Sequence, residues 1–442
     1  MTPRLPHPLV LLVGAVGVAA ALTWVLPAGE YDRRDDEATG RRVVVAGTYH
    51  AAAPAPVGPF GAIVALPRGL IEAADVIAVI LFVGGAWVVV DRIGTLERIV
   101  GSLVARFRTR GYLAIPVLSF FFGSMGALEN MQEEIIPLVP VLLLLGRALG
   151  FDAVVVVAMS LGAAMVGSAF GPTNPFQAGI AMKLAELPPV SGGGLRLAML
   201  IVGLALWTGW TMRYAAATRV TPAAAPGTEG GGATGRDVAI FAMLVTPMAA
   251  YVYGAMFLGW GFNELSAGFL AAGVVAGLVG GLGVAGTTHA YLDGMQSLLP
   301  AAVLVGVARS ISLVLADGRV IDTILNGLAT PLSGAPPAAA ALLMIPVHAV
   351  IHVAVPSVSG HAVLTMPVLV PLSDLLAISR QVTVIAYQTG AGLTDMLTPT
   401  NGALMAVLLA AGVPFGRWIR FAAGGVALAV GVGVAGMLVA ML

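Results

Sequence analysis

Cysteine is absent from the 442 residues, which excludes disulfides, thiolate nucleophiles and Cys-ligated metals. Lysine occurs once, at Lys183, and the other basic residues are arginines scattered without any block. Neither a nucleic-acid partner nor a polybasic lipid patch is indicated. Charge of either sign is scarce, 10% of residues with a net charge of zero, against roughly 25% charged in an ordinary soluble domain. Also missing are HExxH, GxGD and a P-loop. An intramembrane enzyme is therefore disfavoured, and an ATP-driven system would need a separate ATPase chain.

What fills the chain instead is apolar. Hydrophobic residues make up 58% of it, mean hydropathy is +0.96, and runs of about 20 apolar residues, one bilayer crossing each, recur from end to end. The expected fold is an all-α polytopic membrane protein with no soluble domain. The first run, Pro8 to Pro27, lacks a small-x-small cleavage site and reads as a retained helix. The polar, Pro-rich stretch to about residue 70 reads as a solvated loop. Helix 2 covers roughly Ala74 to Val90. The next segment spaces Arg92, Arg98, Arg106, Arg108 and Arg110 between apolar residues three and four apart, the pattern of a cytoplasmic interfacial helix.

A polar centre, GALENMQEE, between two apolar arms suits a re-entrant hairpin over about 113–149. A broken helix, about 152–186, and a helix, 197–212, complete a first half, 1–214. Residues 215–236 are rich in Gly, Ala and Pro and read as a linker, and 237–258 as a connecting helix. The second half, 259–442, repeats the order of parts: a helix at 298–316, an interfacial stretch, a hairpin about 337–378 with PSVSG at its tip, a broken helix about 382–412 and a last helix from Trp418.

The halves echo each other in sequence. Pro172, Thr173 and Asn174 of GSAFGPTNPFQAGIA map onto Pro399, Thr400 and Asn401 of LTDMLTPTNGALMAV, and the same offset of 227 carries Pro140 onto Pro367. Each triplet interrupts a long apolar run, which in a bilayer means a broken helix whose freed backbone groups face something other than lipid. Counting hairpins as zero crossings, the repeated unit begins on opposite sides of the membrane in its two copies. The expectation is two inverted repeats whose hairpin tips and helix breaks meet near the bilayer middle.

That meeting point supplies the candidate site residues. Thr173, Asn174, Thr400 and Asn401 offer neutral oxygens suited to substrate or an alkali cation such as Na+, and half-helix N-termini offer donors to an anionic group; the bland alternative is that each triplet only kinks a packed helix. Ser357, Ser359 and Gly360 form a small polar tip, with His361 beside it. Glu129 and Glu134 in the first tip are candidate carriers of a proton or coupling ion, as are Asp395 and Thr398 near the second break. Asn130 is a candidate substrate contact, and its spacing to Glu133 also fits a capping box. Arg309, set within LVGVARSISLVL, reads as the deepest arginine: either a clamp for a substrate carboxylate or a counter-ion for Asp395 or a hairpin glutamate. His348 and His352, four apart, could share a ligand, although too few further ligands are found for a transition-metal site, and no cofactor is expected.

Three long segments, ALENMQEEIIPLVPVLLLLGRALGFDA, PSVSGHAVLTMPVLVPLSDLLAISRQ and GLTDMLTPTNGALMAVLLAAGVPFGRWIRF, together with ARSISLVLADGRVIDTIL, resemble the YfcC/DcuC-like carriers of the ion transporter superfamily. The resemblance runs from about residue 60 onward. It implies a secondary carrier of amino acids or C4-dicarboxylates, coupled to Na+ or H+ or working by exchange, built as an elevator of two inverted repeats, forming a homodimer and lying in the bacterial cytoplasmic (inner) membrane. It also implies that the tip residues Ser357, Ser359 and Gly360 and the break residues Thr173, Asn174, Thr400 and Asn401 contact ion and substrate. Two departures bear on the coupling ion: TPTNG stands where the family usually has TPTSG, and Asp395 stands where Asn is common.

Overall fold

The computed structural model describes residues 7–37, 41–107, 111–188, 190–222 and 233–442. Ten helices among them are long and apolar enough to cross a membrane, and the chain is a multi-pass membrane protein. Arg108 and Arg110 of the basic segment and 223–232 of the linker lie outside the described residues.

Helix α1 (Pro8–Val25) is followed by structure where a solvated loop was expected. Strand β1 (Gly29–Glu30) pairs antiparallel with β4 (His50–Ala51), and β2 (Arg33–Asp36) with β3 (Arg41–Val44). Charge dominates this stretch, yet Val43 and Val44 are buried, and β3 packs on the helix Val358–Leu375. Asp322 anchors the loop by accepting from the Tyr31 amide at 2.9 Å and Arg33 Nη2 at 3.0 Å. Burial, reinforced by the Asp322 charge, pushes the Tyr31 hydroxyl up to about 12, so it stays a donor, to Asn326 Oδ1. A second helix missed in the sequence, α2 (Pro59–Glu72), starts with Pro59 where a missing N–H costs nothing and ends at Ala73.

Helices α3 (Ala74–Arg92) and α4 (Thr95–Phe107) follow. The basic segment is tied to other elements: Arg98 reaches Asp237 at 2.7 Å and Arg92 reaches Asp293 at 2.8 Å. The first hairpin comprises α5 (Ala114–Glu129), a tight turn of helix at Glu133–Leu138 and α6 (Val139–Ala148). Next, α7 (Ala153–Val157) and α8 (Ala163–Phe170) are joined through a wide turn, and after the break come a wide turn at Pro175–Gly179 and α9 (Ile180–Leu184). Helix α10 (Gly193–Ala217) closes this half, and α11 (Gly235–Phe257) and α12 (Phe262–Gly280) lead into the next.

The helix expected at 298–316 is the second part of α13 (Gly283–Asp317), 35 residues long, which continues through Pro300. The first half has α2 and α3 at the corresponding place, interrupted at Ala73. Proline is a weaker breaker inside a membrane, where neighbouring groups satisfy the carbonyl it frees. After α14 (Ile321–Ala329) come the second hairpin, α15 (Pro337–Ala354) and α16 (Val358–Leu375), the second broken helix, α17 (Arg380–Thr394) and α18 (Gly402–Ala410), and α19 (Phe415–Met441).

Both Pro-Thr-Asn triplets end one helix and start another. Asn174 caps the restart after α8, its Oδ1 accepting from the Phe176 and Gln177 amides at 3.0 and 2.9 Å; Asn401 caps α18, accepting from the Leu404 amide at 2.7 Å. Helix α8 is buried on all sides, as suits a segment apolar all round. Small residues let its backbone meet that of α5: a Cβ on Gly126 would lie 1.9 Å from the Ala164 carbonyl oxygen, and one on Gly167 1.9 Å from that of Gly123. Such contact leaves no tolerance for sliding, so the first tip is held in register with the first break.

Candidate functional site

A cavity of about 440 Å³ opens where the two hairpin tips and the second break come together. The first tip contributes Glu129, Asn130, Gln132, Glu133 and Glu134; the second tip Pro356 to Ser359; the second break Asp395, Thr400 and Asn401. The far wall is the α2–α3 junction with Glu72 and Asp75, Arg309 of α13, Tyr251 of α11 and Phe262 of α12. Among the described residues six carboxyl groups, Glu72, Asp75, Glu129, Glu133, Glu134 and Asp395, thus share the cavity with one cation, Arg309. Those of them that are ionised favour a cationic group over a second anion.

The first tip is fixed by the break behind it. Asn130 takes the left-handed conformation (φ 63°, ψ 34°) and ends α5 as its C-cap. The expected capping box from Asn130 to Glu133 is not formed, because Asn130 closes one helix and does not open the next. The Gln132 amide instead donates to Glu134 Oε2 at 3.1 Å. Asn130 Oδ1 accepts from Ser168 Oγ and, at 3.4 Å, from Asn174 Nδ2, which also donates to the Gly126 carbonyl at 3.1 Å. Asn174 is fully buried, and both lone pairs of its side-chain oxygen are taken by the two capped amides. Thr173 is exposed, its hydroxyl 3.4 Å from the Ala127 carbonyl. Neither residue lines the cavity. Glu129 does, and it is only 4% exposed with neither carboxylate oxygen partnered.

The second break faces the cavity directly. Asp395 Oδ1 accepts from Asn401 Nδ2 at 2.6 Å and lies 2.8 Å from His352 Nε2, while Oδ2 is 3.4 Å from Gln132 Nε2 of the first tip. Because Asn401 Oδ1 is committed to the Leu404 amide, its amide nitrogen must be the end turned to Asp395. Thr398 is buried behind this group, its hydroxyl 2.7 Å from that of Thr400, and does not line the cavity.

In the second tip Ser357 caps α16, accepting from the Gly360 amide at 3.3 Å. Ser359 lines the cavity, and Gly360 faces a smaller hollow beside Arg33 and Val44. His361, expected to touch substrate, is fully buried and turned away: its Nε2 lies 2.8 Å from His348 Nδ1. It is on the first turn of α16, whose winding carries it to the face packed on α15 and α17. No group of three or more His, Asp or Glu among the described residues is placed to hold a metal ion.

Arg309 lines the cavity, but its ionic partner is Glu72, at 3.0 Å, not Asp395 or a hairpin glutamate. With 42% of its side chain exposed it is not the deepest arginine. That is Arg196, 1% exposed at the start of α10, which bonds to the Ser191 carbonyl and Gln381 Oε1. Sequence reasoning missed Glu72, Asp75, Gln132, Tyr251 and Phe262. Glu72 and Asp75, with Arg68, are the charged residues of an otherwise apolar run from 59 to 90, a signal of the same kind as the two triplets. Tyr251 sits on the helix read as a mere connector, and nothing in its surroundings distinguishes it.

A polar cavity bounded by two helical hairpins and a broken helix, in a chain that crosses the bilayer many times, defines a membrane carrier. The chain belongs to the DcuC family, described as C4-dicarboxylate anaerobic carrier, whose family model matches residues 5–442. The Escherichia coli K12 protein named "Putative basic amino acid antiporter YfcC" is 31% identical over 375 residues, covering 79% of this chain and 74% of that one. An uncharacterized protein of Haemophilus influenzae is 26% identical, covering 95% of this chain and 94% of its own. Among solved structures, the Alcanivorax borkumensis YdaH transporter aligns over 98% of each chain with a TM-score of 0.46 and 19% identity. Neisseria gonorrhoeae MtrF, from a class of antimetabolite efflux pumps, aligns over 98% of this chain and 95% of its own with a TM-score of 0.43 and 18% identity.

Proposed function

We propose that the protein is a secondary active transporter for a small carboxylate-bearing metabolite, and that an amino acid carrying a cationic group suits it better than a C4-dicarboxylate. The observation behind this reading is the charge of the cavity, six carboxyl groups around Arg309. Arg309 would take the substrate carboxylate through its planar fork, and the unpartnered Glu129 would take the cationic group. A dianion would meet five carboxyl groups beyond the one already paired with Arg309. The name of the E. coli relative agrees with this preference; the family description favours the dicarboxylate.

Two inverted repeats moving as an elevator within a homodimer, in a bacterial inner membrane, with transport driven by Na+, H+ or exchange, complete the reading. The test is a thermal-shift screen of L-arginine, L-ornithine, succinate and fumarate with and without sodium, followed by uptake into proteoliposomes. A ligand at a hundred times its Kd stabilises the folded state by about 2.7 kcal/mol. A shift with L-arginine is expected. A shift with succinate alone would overturn the substrate preference, and uptake without any ion or exchange gradient would overturn secondary transport.

A further inference from the structure

Behind the second tip lies a buried cluster that the substrate site does not use. His348, His352 and His361 are all fully buried, with ring centroids 5.1 Å apart for 348–361 and 5.3 Å for 352–361. Each has one ring nitrogen without a partner: Nε2 of His348, Nδ1 of His352 and Nδ1 of His361. The cluster meets the cavity at one point, where His352 Nε2 lies 2.8 Å from Asp395 Oδ1.

We propose that Asp395 and His352 together form the proton-binding site that couples this carrier to the proton gradient. The inference rests on the carrier reading above. Asp395 receives three N–H donors: His352 Nε2, Asn401 Nδ2 and, at 3.4 Å, Gln132 Nε2. An ionised carboxylate accepts from all three. Protonation takes the one acceptor site left, on Oδ2, and makes that oxygen an uncharged and weaker acceptor for its donor. The longest contact gives way first, and it is the one to Gln132, the bond from Asp395 to the first hairpin. Proton uptake from cavity water therefore loosens the first tip from the second break, and release restores the bond. Only an O–H or N–H bond forms or breaks.

His352 is the positioning residue and second proton acceptor. Donating to Asp395 through Nε2 leaves Nδ1 a lone pair with no donor. Other charged and titratable groups face the pair from every side: Glu133 of the first tip, Asp75 of α3 and Arg309 of α13 from the cavity, and His361 of α16 and His348 of α15 from behind.

The test uses purified protein in proteoliposomes, with labelled L-arginine as the probe and a trapped pH dye. In His352→Gln, which keeps a donor but cannot hold the proton, the pH of half-maximal proton-driven exchange should move by at least about one unit, a tenfold change in proton affinity. An unchanged pH profile overturns the proposal. pH-difference infrared spectra provide a readout that needs no substrate. A carboxyl band present in the wild type should vanish in Asp395→Asn and shift in His352→Gln; a band untouched by either change also overturns it. If no arginine exchange occurs in the wild type, the substrate reading fails, while the infrared result still decides the proton site.

Discussion

Asn174→Ala is the substitution whose cost can be worked most directly from the structure. The side chain caps the restarted helix through two amides at 3.0 and 2.9 Å and donates to the Gly126 carbonyl and Ser168 Oγ, both at 3.1 Å. Losing an N-cap costs about 1 kcal/mol. Leaving a buried carbonyl without its donor costs about 1–3 kcal/mol more. The sum, about 2–4 kcal/mol, is roughly 30- to 1,000-fold in an equilibrium constant. Thermal unfolding in detergent should show this loss, and limited proteolysis should open first near residues 171–175. Asn174→Ser keeps a capping oxygen and should recover about 1 kcal/mol. Transport should be lost in Asn174→Ala because the first tip is no longer fixed. A variant within about 0.5 kcal/mol of the wild type, the range of an unremarkable surface change, would refute the reasoning.

Three further outcomes are expected. Gly126→Ala and Gly167→Ala should each abolish a monodisperse detergent-solubilised protein, since the added Cβ would fall 1.9 Å from a backbone oxygen; Gly14→Ala, with nothing within 4 Å, should be tolerated, as size-exclusion profiles would show. Arg309→Gln should change stability by less than about 1 kcal/mol because its ion pair is solvent-screened, yet remove the thermal shift given by L-arginine; an intact shift would clear Arg309 of a role in binding. Glu129→Gln should weaken L-arginine binding at least about tenfold, the lower end of what losing a desolvated charge partner costs. Calorimetric titration giving an unchanged Kd would place the cationic group elsewhere.

The Pro-Thr-Asn triplets were legible in the sequence because in each the Asn side chain must cap the helix that follows, a local requirement that leaves a local trace. The break between α5 and α6 was legible for a related reason: GALENMQEE is too polar to lie in lipid. Partners were not, because pairing depends on how helices distant in sequence rotate about their axes. Arg309 meets Glu72, 237 residues away, and His361 turns from the cavity although its neighbour Ser359 lines it. The charge run before residue 50 concealed β3 because two valines, Val43 and Val44, suffice to bury one short strand. The continuous α13 was concealed by Pro300, which in water would have argued for a boundary.

Helix α13 has a mechanical consequence for the lipid around it. Its 35 residues make a rod about 52 Å long at the usual rise, whereas bilayer hydrocarbon is about 30 Å thick. To keep its whole length in hydrocarbon the rod must lean roughly 55° from the membrane normal; upright, it would project roughly 20 Å beyond one face. The exposed Arg92–Asp293 ion pair, ten residues from its start, makes projection of that end less costly than burying it in hydrocarbon, so α13 reaches past the lipid on one side.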